Sequence, residues 1–249
     1  MKDLAVDFCD VSKYFLRPIR TDERKSLFKK IFSKENSETV YAVKDVSFQI
    51  EKGETIAFIG PNGSGKSTTI KMMTGILFPN QGSIKVLGLS PQEQRIELTR
   101  RIGCVFGQKS NLWFHLPPFD SFKLLGKIYD LDTKKLNERL DELVSAFNLN
   151  ELIYTPVRKL SLGQRMKCEI VSTLLHKPEV IFLDEPTIGL DIVAKTQIRD
   201  ELIRLNKKEN ITVFLTSHDA GDVDQIANRT IVINHGELLY DGSTKELKD

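Results

Sequence analysis

Gly60-Pro61-Asn62-Gly63-Ser64-Gly65-Lys66-Ser67 reads G-x-x-x-x-G-K-S, and its flanks give these eight residues their meaning. Before it, Thr55-Ile56-Ala57-Phe58-Ile59 is an apolar run suited to a buried strand. After it, Thr68 to Thr74 has the character of the first turns of a helix. A strand that feeds a glycine-rich loop and then a helix is the context a phosphate-cradling loop requires. The glycines let backbone N–H groups curl around β- and γ-phosphates; the helix N-terminus adds partial positive charge and Lys66 a full one. Ser67 offers a hydroxyl to Mg²⁺, which takes oxygen ligands and usually bridges phosphates. Gly60, Pro61, Asn62, Gly63, Ser64, Gly65, Lys66, Ser67 and Thr68 are therefore the expected nucleotide-binding set, and the expected ligand is a nucleoside triphosphate.

The chain has 249 residues, enough for one large α/β domain or two small ones. A net charge of +2 gives no reason to expect nucleic acid as a partner. The cysteines Cys9, Cys104 and Cys168 are odd in number and widely spaced, which argues against a disulfide framework or a zinc site and fits a reducing cytoplasm. Met1 to Lys13 lacks the apolar core of a signal peptide, and no stretch approaches the length of a membrane span. Any membrane role is expected to come through a partner, and no regulatory domain is expected to follow Tyr240 to Asp249.

Working outward, Val40 to Ile50 alternates apolar and polar residues and is expected to pair, antiparallel, with a strand near Leu4 to Phe8. Beyond the loop helix, Pro79-Asn80-Gln81-Gly82 is a turn, Ser83 to Leu87 a strand, Pro91 to Arg101 a helix and Ile102 to Phe106 a strand. Asn111 to Pro156 then changes to helical periodicity. Strand–helix alternation resumes with Val180 to Leu183, Val193 to Lys208, Thr212 to Thr216, Ala220 to Ala227 and Thr230 to Ile233. That order implies a mainly parallel core sheet with helices on both faces, interrupted by a helical insertion.

Val180-Ile181-Phe182-Leu183-Asp184-Glu185 is the second strong signal. An apolar strand ending in two acids delivers them to its C-terminal edge, beside the phosphate loop, where ligands collect in α/β sheets. Asp184 would hold Mg²⁺, and Glu185 would polarise an attacking water, a role typically worth about 10² to 10⁴ in rate.

Lys159-Leu160-Ser161-Leu162-Gly163-Gln164-Arg165 closely resembles the signature loop of ATP-binding cassette (ABC) ATPases, L-S-G-G-Q. Ser161 stands 95 residues beyond Lys66 (161 − 66) and 23 before Asp184 (184 − 161). Other elements of that family fall in order. Gln108 resembles the Q-loop glutamine, a sensor of metal or water. Gly189-Leu190-Asp191 resembles the D-loop, and His218 resembles the switch histidine that contacts the γ-phosphate. Tyr14 resembles the aromatic that stacks on adenine, a job that Tyr41 or Phe15 could also do; such stacking contributes roughly 1–3 kcal/mol. The resemblance covers nearly the whole chain. It implies a P-loop NTPase fold with an N-terminal antiparallel β-subdomain and an inserted helical subdomain near 109–176, in a single domain spanning 1–249. It also implies ATP and Mg²⁺ as cofactors, and catalysis by Glu185, His218 and Gln108, with Ser67, Gln108 and Asp184 near the metal. Ser161, Leu162, Gly163 and Gln164 would then face ATP held by a second ABC ATPase subunit, either another copy of this chain or a different cassette, so that two nucleotides join a head-to-tail pair.

One departure stands out: Leu162 replaces the first signature glycine and would be strained if that position needed φ > 0. The form L-S-L-G-Q-R-M resembles cassettes that serve bacterial export permeases. The stretch 15–39 is longer than a minimal cassette needs and carries a basic run with Leu27, Phe28, Ile31 and Phe32 on one helical face. It reads either as a basic amphipathic helix for a permease or the anionic inner leaflet, or as a helix folded onto the β-subdomain. Trp113 and Phe114 are either anchors for a permease or core of the helical subdomain.

The expected function is the ATPase subunit of an ABC transporter, on the cytoplasmic face of the membrane, powering transport (export by preference) through separate permease subunits. Its alternatives are an importer's ATPase and a mechanical cassette serving a non-transport membrane complex. Chromosome and repair ATPases need a long coiled coil between loop and signature, and translation-associated members carry two cassettes per chain; neither pattern is present.

Overall fold

In the computed structural model, residues 3–18, 37–107, 110–217 and 220–248 are described. Alternation along two strands organises the core. On β6 (Val180–Asp184), Val180 and Phe182 enter one hydrophobic cluster while Ile181 and Leu183 enter another. On β7 (Thr212–Ser217), Phe214 joins the first cluster and Val213 and Leu215 the second. Side chains alternate between the two faces of a strand, so this sheet is covered on both.

The core sheet has the order β5-β6-β7-β3-β8-β9, with β3 (Thr55–Ile59), β5 (Ile102–Phe106) and β8 (Arg229–Asn234) joining β6 and β7 in parallel. The edge strand β9 (Glu237–Ser243) is antiparallel and was not expected from the sequence. It returns through His235 (φ 48°) and Gly236 (φ 79°). Two successive left-handed residues match the twist of a tight hairpin.

A second sheet, β2-β1-β4, packs one face of the core. Here β1 (Leu4–Pro18) pairs with β2 (Ser37–Glu51) and β4 (Gln81–Val86), both antiparallel. Phe8 lies opposite Phe48 with rings 4.7 Å apart, and the aromatic contacts continue from Phe48 to Phe58 on β3 and on through Phe214 to Phe182. This chain of rings fastens the small sheet to the large one.

Both strands of the hairpin exceed their expected lengths. Phe15 to Pro18 and Ser37 to Thr39 belong to the β1–β2 ladder, so the flanks of the basic stretch are strand and not helix. Its middle, 19–36, lies outside the described residues, and with it the proposed amphipathic face.

The other face carries helices. Between β5 and β6 come α3 (Pro118–Ile128), α4 (Thr133–Ala146) and α5 (Leu162–Leu174). Asp132 caps α4 by accepting the N–H groups of Lys134 and Lys135, and Leu136, Leu140, Leu143 and Val144 bury one stripe. Buried Arg139 on α4 donates two hydrogen bonds to Glu209, at the end of α6 (Ile192–Glu209), and one to Glu142. The remaining α-helices among the described residues are α1 (Lys66–Met73), α2 (Arg95–Thr99, shorter than the expected Pro91–Arg101) and α7 (Ala220–Ile226).

Candidate functional site

The glycine-rich loop leaves the C-terminal end of central strand β3 and enters α1 at Lys66. Gly65 is the N-cap with φ 112°, a conformation open to glycine, and no side chain caps the helix. A Cβ there would stand 2.3 Å from the carbonyl oxygen of Ala42 on β2, so the loop and the hairpin can touch only through a glycine. Pro61, Asn62 and Gly63 are exposed, Ser64 to Lys66 are buried, and Ser67 and Thr68 are half-buried on the first turn.

Lys66 is 5% exposed, and its ammonium donates to the carbonyls of Gly60 (2.7 Å) and Pro61 (3.1 Å). It also lies 4.0 Å from Glu185 Oε1. Burial pulls its pKa below the usual lysine range, while the Glu185 and Asp184 carboxylates pull it back up.

Asp184 ends β6 and Glu185 follows it, but they do not adjoin β3 directly: β7 lies between. The intervening strand contributes Thr216, in register with Phe58 on one side and Asp184 on the other. The fully buried Thr216 hydroxyl donates to Asp184 Oδ1 (2.8 Å) and accepts the Glu185 N–H (2.9 Å). Glu185 has φ 55°, a left-handed conformation that costs a non-glycine residue of order 1 kcal/mol. The turn brings its carboxylate to Lys66. Thr216 is a residue that sequence reasoning missed; the only signal was its place at the end of a strand flanked by both motifs.

A cleft of about 420 Å³ is lined by Asn62, Ser67, Gly107, Asp184 and Glu185, among others. The donor set fits a hard divalent cation that takes most of its ligands from phosphate and water: one hydroxyl, one carboxylate and no cluster of three acidic, His or Cys side chains among the described residues. The uncapped α1 N-terminus and the buried Ser64 hydroxyl, which has no partner among the described residues, fit an anion in the loop. Gln108 and His218 lie outside the described residues.

The signature residues stand on α5. Ser161 is its N-cap and forms a reciprocal capping box: Ser161 Oγ accepts the Gln164 N–H (3.2 Å) and Gln164 Oε1 accepts the Ser161 N–H (2.9 Å). Capping uses a lone pair of the exposed hydroxyl, leaving its proton for an outside acceptor. Leu162 occupies the first helical position and is absent from the positive-φ residues, so it is not strained there. Gly163 is buried, and a Cβ on it would stand 2.7 Å from the Cβ of Ala194 on α6. Asp191 caps α6 by accepting the Ala194 N–H at 2.8 Å. The signature and D-loop helices thus meet at their N-terminal ends.

Tyr14 lies opposite Tyr41 on the hairpin, ring centroids 5.6 Å apart, while Phe15 sits under the Lys13 ammonium. Trp113 and Phe114 are 40% and 52% exposed, which removes them from the core. No helix among the described residues is long and apolar enough to cross a membrane.

A family model described as "ABC transporter" matches residues 43–188. The ABC transporter ATP-binding protein NatA of Bacillus subtilis (strain 168) is 34% identical over 213 residues, 86% of this chain and 86% of that protein. The energy-coupling factor transporter ATP-binding protein EcfA1 of Listeria innocua serovar 6a is 33% identical over 218 residues, 87% of this chain and 78% of that one. Among solved structures, a dimeric ATP-binding cassette in a post-hydrolysis state with ADP and Pi superposes with a TM-score of 0.78 at 26% identity, covering 96% of this chain and 98% of that one.

Proposed function

Because this chain belongs to the ABC transporter family as an ATP-binding subunit, we propose that it hydrolyses ATP to ADP and phosphate, as one of two paired cassettes driving transport through separate membrane subunits. The observation that carries the catalytic part is the setting of Glu185. It follows the metal-side acid Asp184, is turned by a left-handed backbone, and comes within 4.0 Å of the buried Lys66 ammonium.

In this reading the whole chain is one catalytic domain, with 109–176 as its helical part. Gly60 to Thr68 cradle the phosphates. Lys66 exchanges the carbonyls of Gly60 and Pro61 for phosphate oxygens, a substitution of weak acceptors by charged ones. Ser67 and Asp184, with Gln108 as a further proposed ligand, would hold Mg²⁺, which would supply positive charge to offset that of the phosphates. Glu185 accepts a hydrogen bond from the attacking water and orients it, His218 contacts the γ-phosphate, and Tyr14 stacks on the adenine.

The pairing follows from where the signature stands. α5 packs on β5, α3 and α6, whereas α1 packs on β2, β4 and β6. Ser161 is exposed at a helix N-terminus, and such an end favours an anion. A second cassette bringing its own nucleotide satisfies it. The similarity to a cassette solved as a dimer supports the same arrangement. Trp113 and Phe114 are exposed aromatics beside α3 and are the proposed contacts for a membrane subunit. That partnership would hold the chain at the cytoplasmic face of the membrane. Export is the proposed direction, on the form of the signature, L-S-L-G-Q-R-M.

Hydrolysis assays test the catalytic reading. The wild-type chain should release phosphate from Mg-ATP, Glu185→Gln should bind ATP yet lose about 10²-fold or more of the rate, and Lys66→Ala should lose binding itself. A Glu185→Gln variant turning over at the wild-type rate would remove Glu185 from its role. Direction is tested in vesicles holding the cognate membrane subunits: ATP-driven efflux supports export, and accumulation contradicts it.

A further inference from the structure

Glu169 lies two turns into α5 and is 3% exposed, yet none of the roles above uses it. One carboxylate oxygen accepts the hydroxyl of Ser110 and the other accepts the Asn111 N–H at 2.9 Å. Ser110 and Asn111 follow Gln108 by two and three residues in the sequence. On the near side of Gln108, the Gly107 N–H donates to the carbonyl of Asp184 at 3.1 Å. The chain on either side of Gln108 is therefore anchored to two different walls, the strand bearing Asp184 and the helix bearing Ser161. Asn111 adds a bond from its side-chain amide to the carbonyl of Cys104, at 3.2 Å on β5.

A buried carboxylate is an expensive anchor, because ionisation in a dry site must be offset by hydrogen bonds. Burial pushes the Glu169 carboxyl up, and Ser110, Asn111 and Arg165, one turn earlier on α5, work against that. Glu169 also stands on a helix that is tied directly to the D-loop helix. Lys167, 7% exposed, donates to Gln197 on α6 at 3.1 Å, and Gly163 meets Ala194. Bonds thus run from the residues after Gln108 to α5, and from α5 to α6.

We propose that Glu169 is a positioning residue that ties the segment following Gln108 to the signature helix, so that the state of the nucleotide on one chain sets the position of Ser161 offered to the other. The proposal rests on the ATPase reading given above. It requires that losing the tie weaken turnover while leaving the chain's own nucleotide loop able to bind.

The test uses the full-length chain with mant-ATP binding, ATP hydrolysis and thermal melting measured in parallel. Glu169→Ala should hold mant-ATP with a Kd within about twofold of wild type and lower kcat by roughly two- to thirtyfold, the range for mutations along a coupling network. Glu169→Gln should recover most of the loss: its carbonyl can accept the Asn111 N–H, and its amide can donate to Ser110 Oγ. Ser110→Ala removes one donor at an exposed position and should move kcat in the same direction by less, with a smaller fall in melting temperature than Glu169→Ala. That variant keeps the proposal open to refutation if Glu169→Ala fails to fold. Wild-type kcat in both Glu169→Ala and Ser110→Ala overturns the proposal, as does a Kd that weakens in step with kcat. Failure of the wild-type chain to hydrolyse ATP overturns the parent reading and this proposal together; wild-type turnover with unaffected variants overturns this proposal alone.

Discussion

Thr216 Oγ1 donates to Asp184 Oδ1 at 2.8 Å, from a strand that lies between the one feeding the phosphate loop and the one ending in the paired acids. The same oxygen accepts the Glu185 N–H at 2.9 Å. One hydroxyl thus aims a proposed metal ligand and holds the backbone of the proposed base in its left-handed turn. Thr216→Val keeps the shape and removes both bonds. A loss of about 1–2 kcal/mol in positioning corresponds to roughly a tenfold drop in turnover. Thr216→Ser keeps the hydroxyl and should stay near the wild-type rate. Steady-state kinetics of the two variants check this; equal rates in Val and Ser variants would contradict it.

Gly163 tests the contact between the signature and D-loop helices. Gly163→Ala places a methyl about where Ala194 already stands, 2.7 Å from its Cβ, in a buried position. Overpacking of this kind costs typically about 1–3 kcal/mol. The melting temperature should fall, and Ala194→Gly in the same chain should restore much of it by returning the space. Calorimetry of the single and double variants decides; a double variant no more stable than Gly163→Ala would mean that the two residues do not share that contact.

The junction between α4 and α6 should show a defined acid limit. Lys208 first, and Arg139 with it, hold the Glu142 carboxyl down at about 2, against an ordinary value of 4.5. A folded-state pKa below the unfolded one gives stability that is complete above about 4.5 and is lost as pH falls toward 2. Glu142→Gln should therefore melt below wild type near neutral pH, with the gap closing between pH 4.5 and 2. Because Glu142 is partly exposed, added salt should narrow the gap as well. A gap constant across that pH range would rule out the linkage.

Much of the fold is legible in the sequence. β5 runs over Ile102–Phe106 as read, and α6 and α7 fall within a residue of their expected ends, because buried strands and capped helices leave strong local signals. The hairpin was misjudged for a physical reason. Three register shifts between Phe8 and Tyr14 break the alternation of β1, so the strand looked finished at Phe8 when it continues to Pro18. β9 was missed because its turn is His235-Gly236 instead of the usual Asn-Gly. Leu162 looked like a liability only while its φ was unknown. Thr216 and Glu169 were invisible as site residues, since each acts through hydrogen bonds between segments far apart in sequence, 32 residues for Thr216 to Asp184 and 59 for Glu169 to Ser110.

The central claim is that nucleotide joins two of these chains, with the exposed Ser161 end of one α5 set against the loop of the other. Light scattering on the Glu185→Gln variant, coupled to size exclusion in saturating Mg-ATP, measures it directly. The account predicts twice the monomer mass with ATP and the monomer mass with ADP, and a return to monomer when Ser161→Arg is added. A Glu185→Gln chain that saturates with mant-ATP yet stays monomeric, alone and with its membrane subunits, would contradict it.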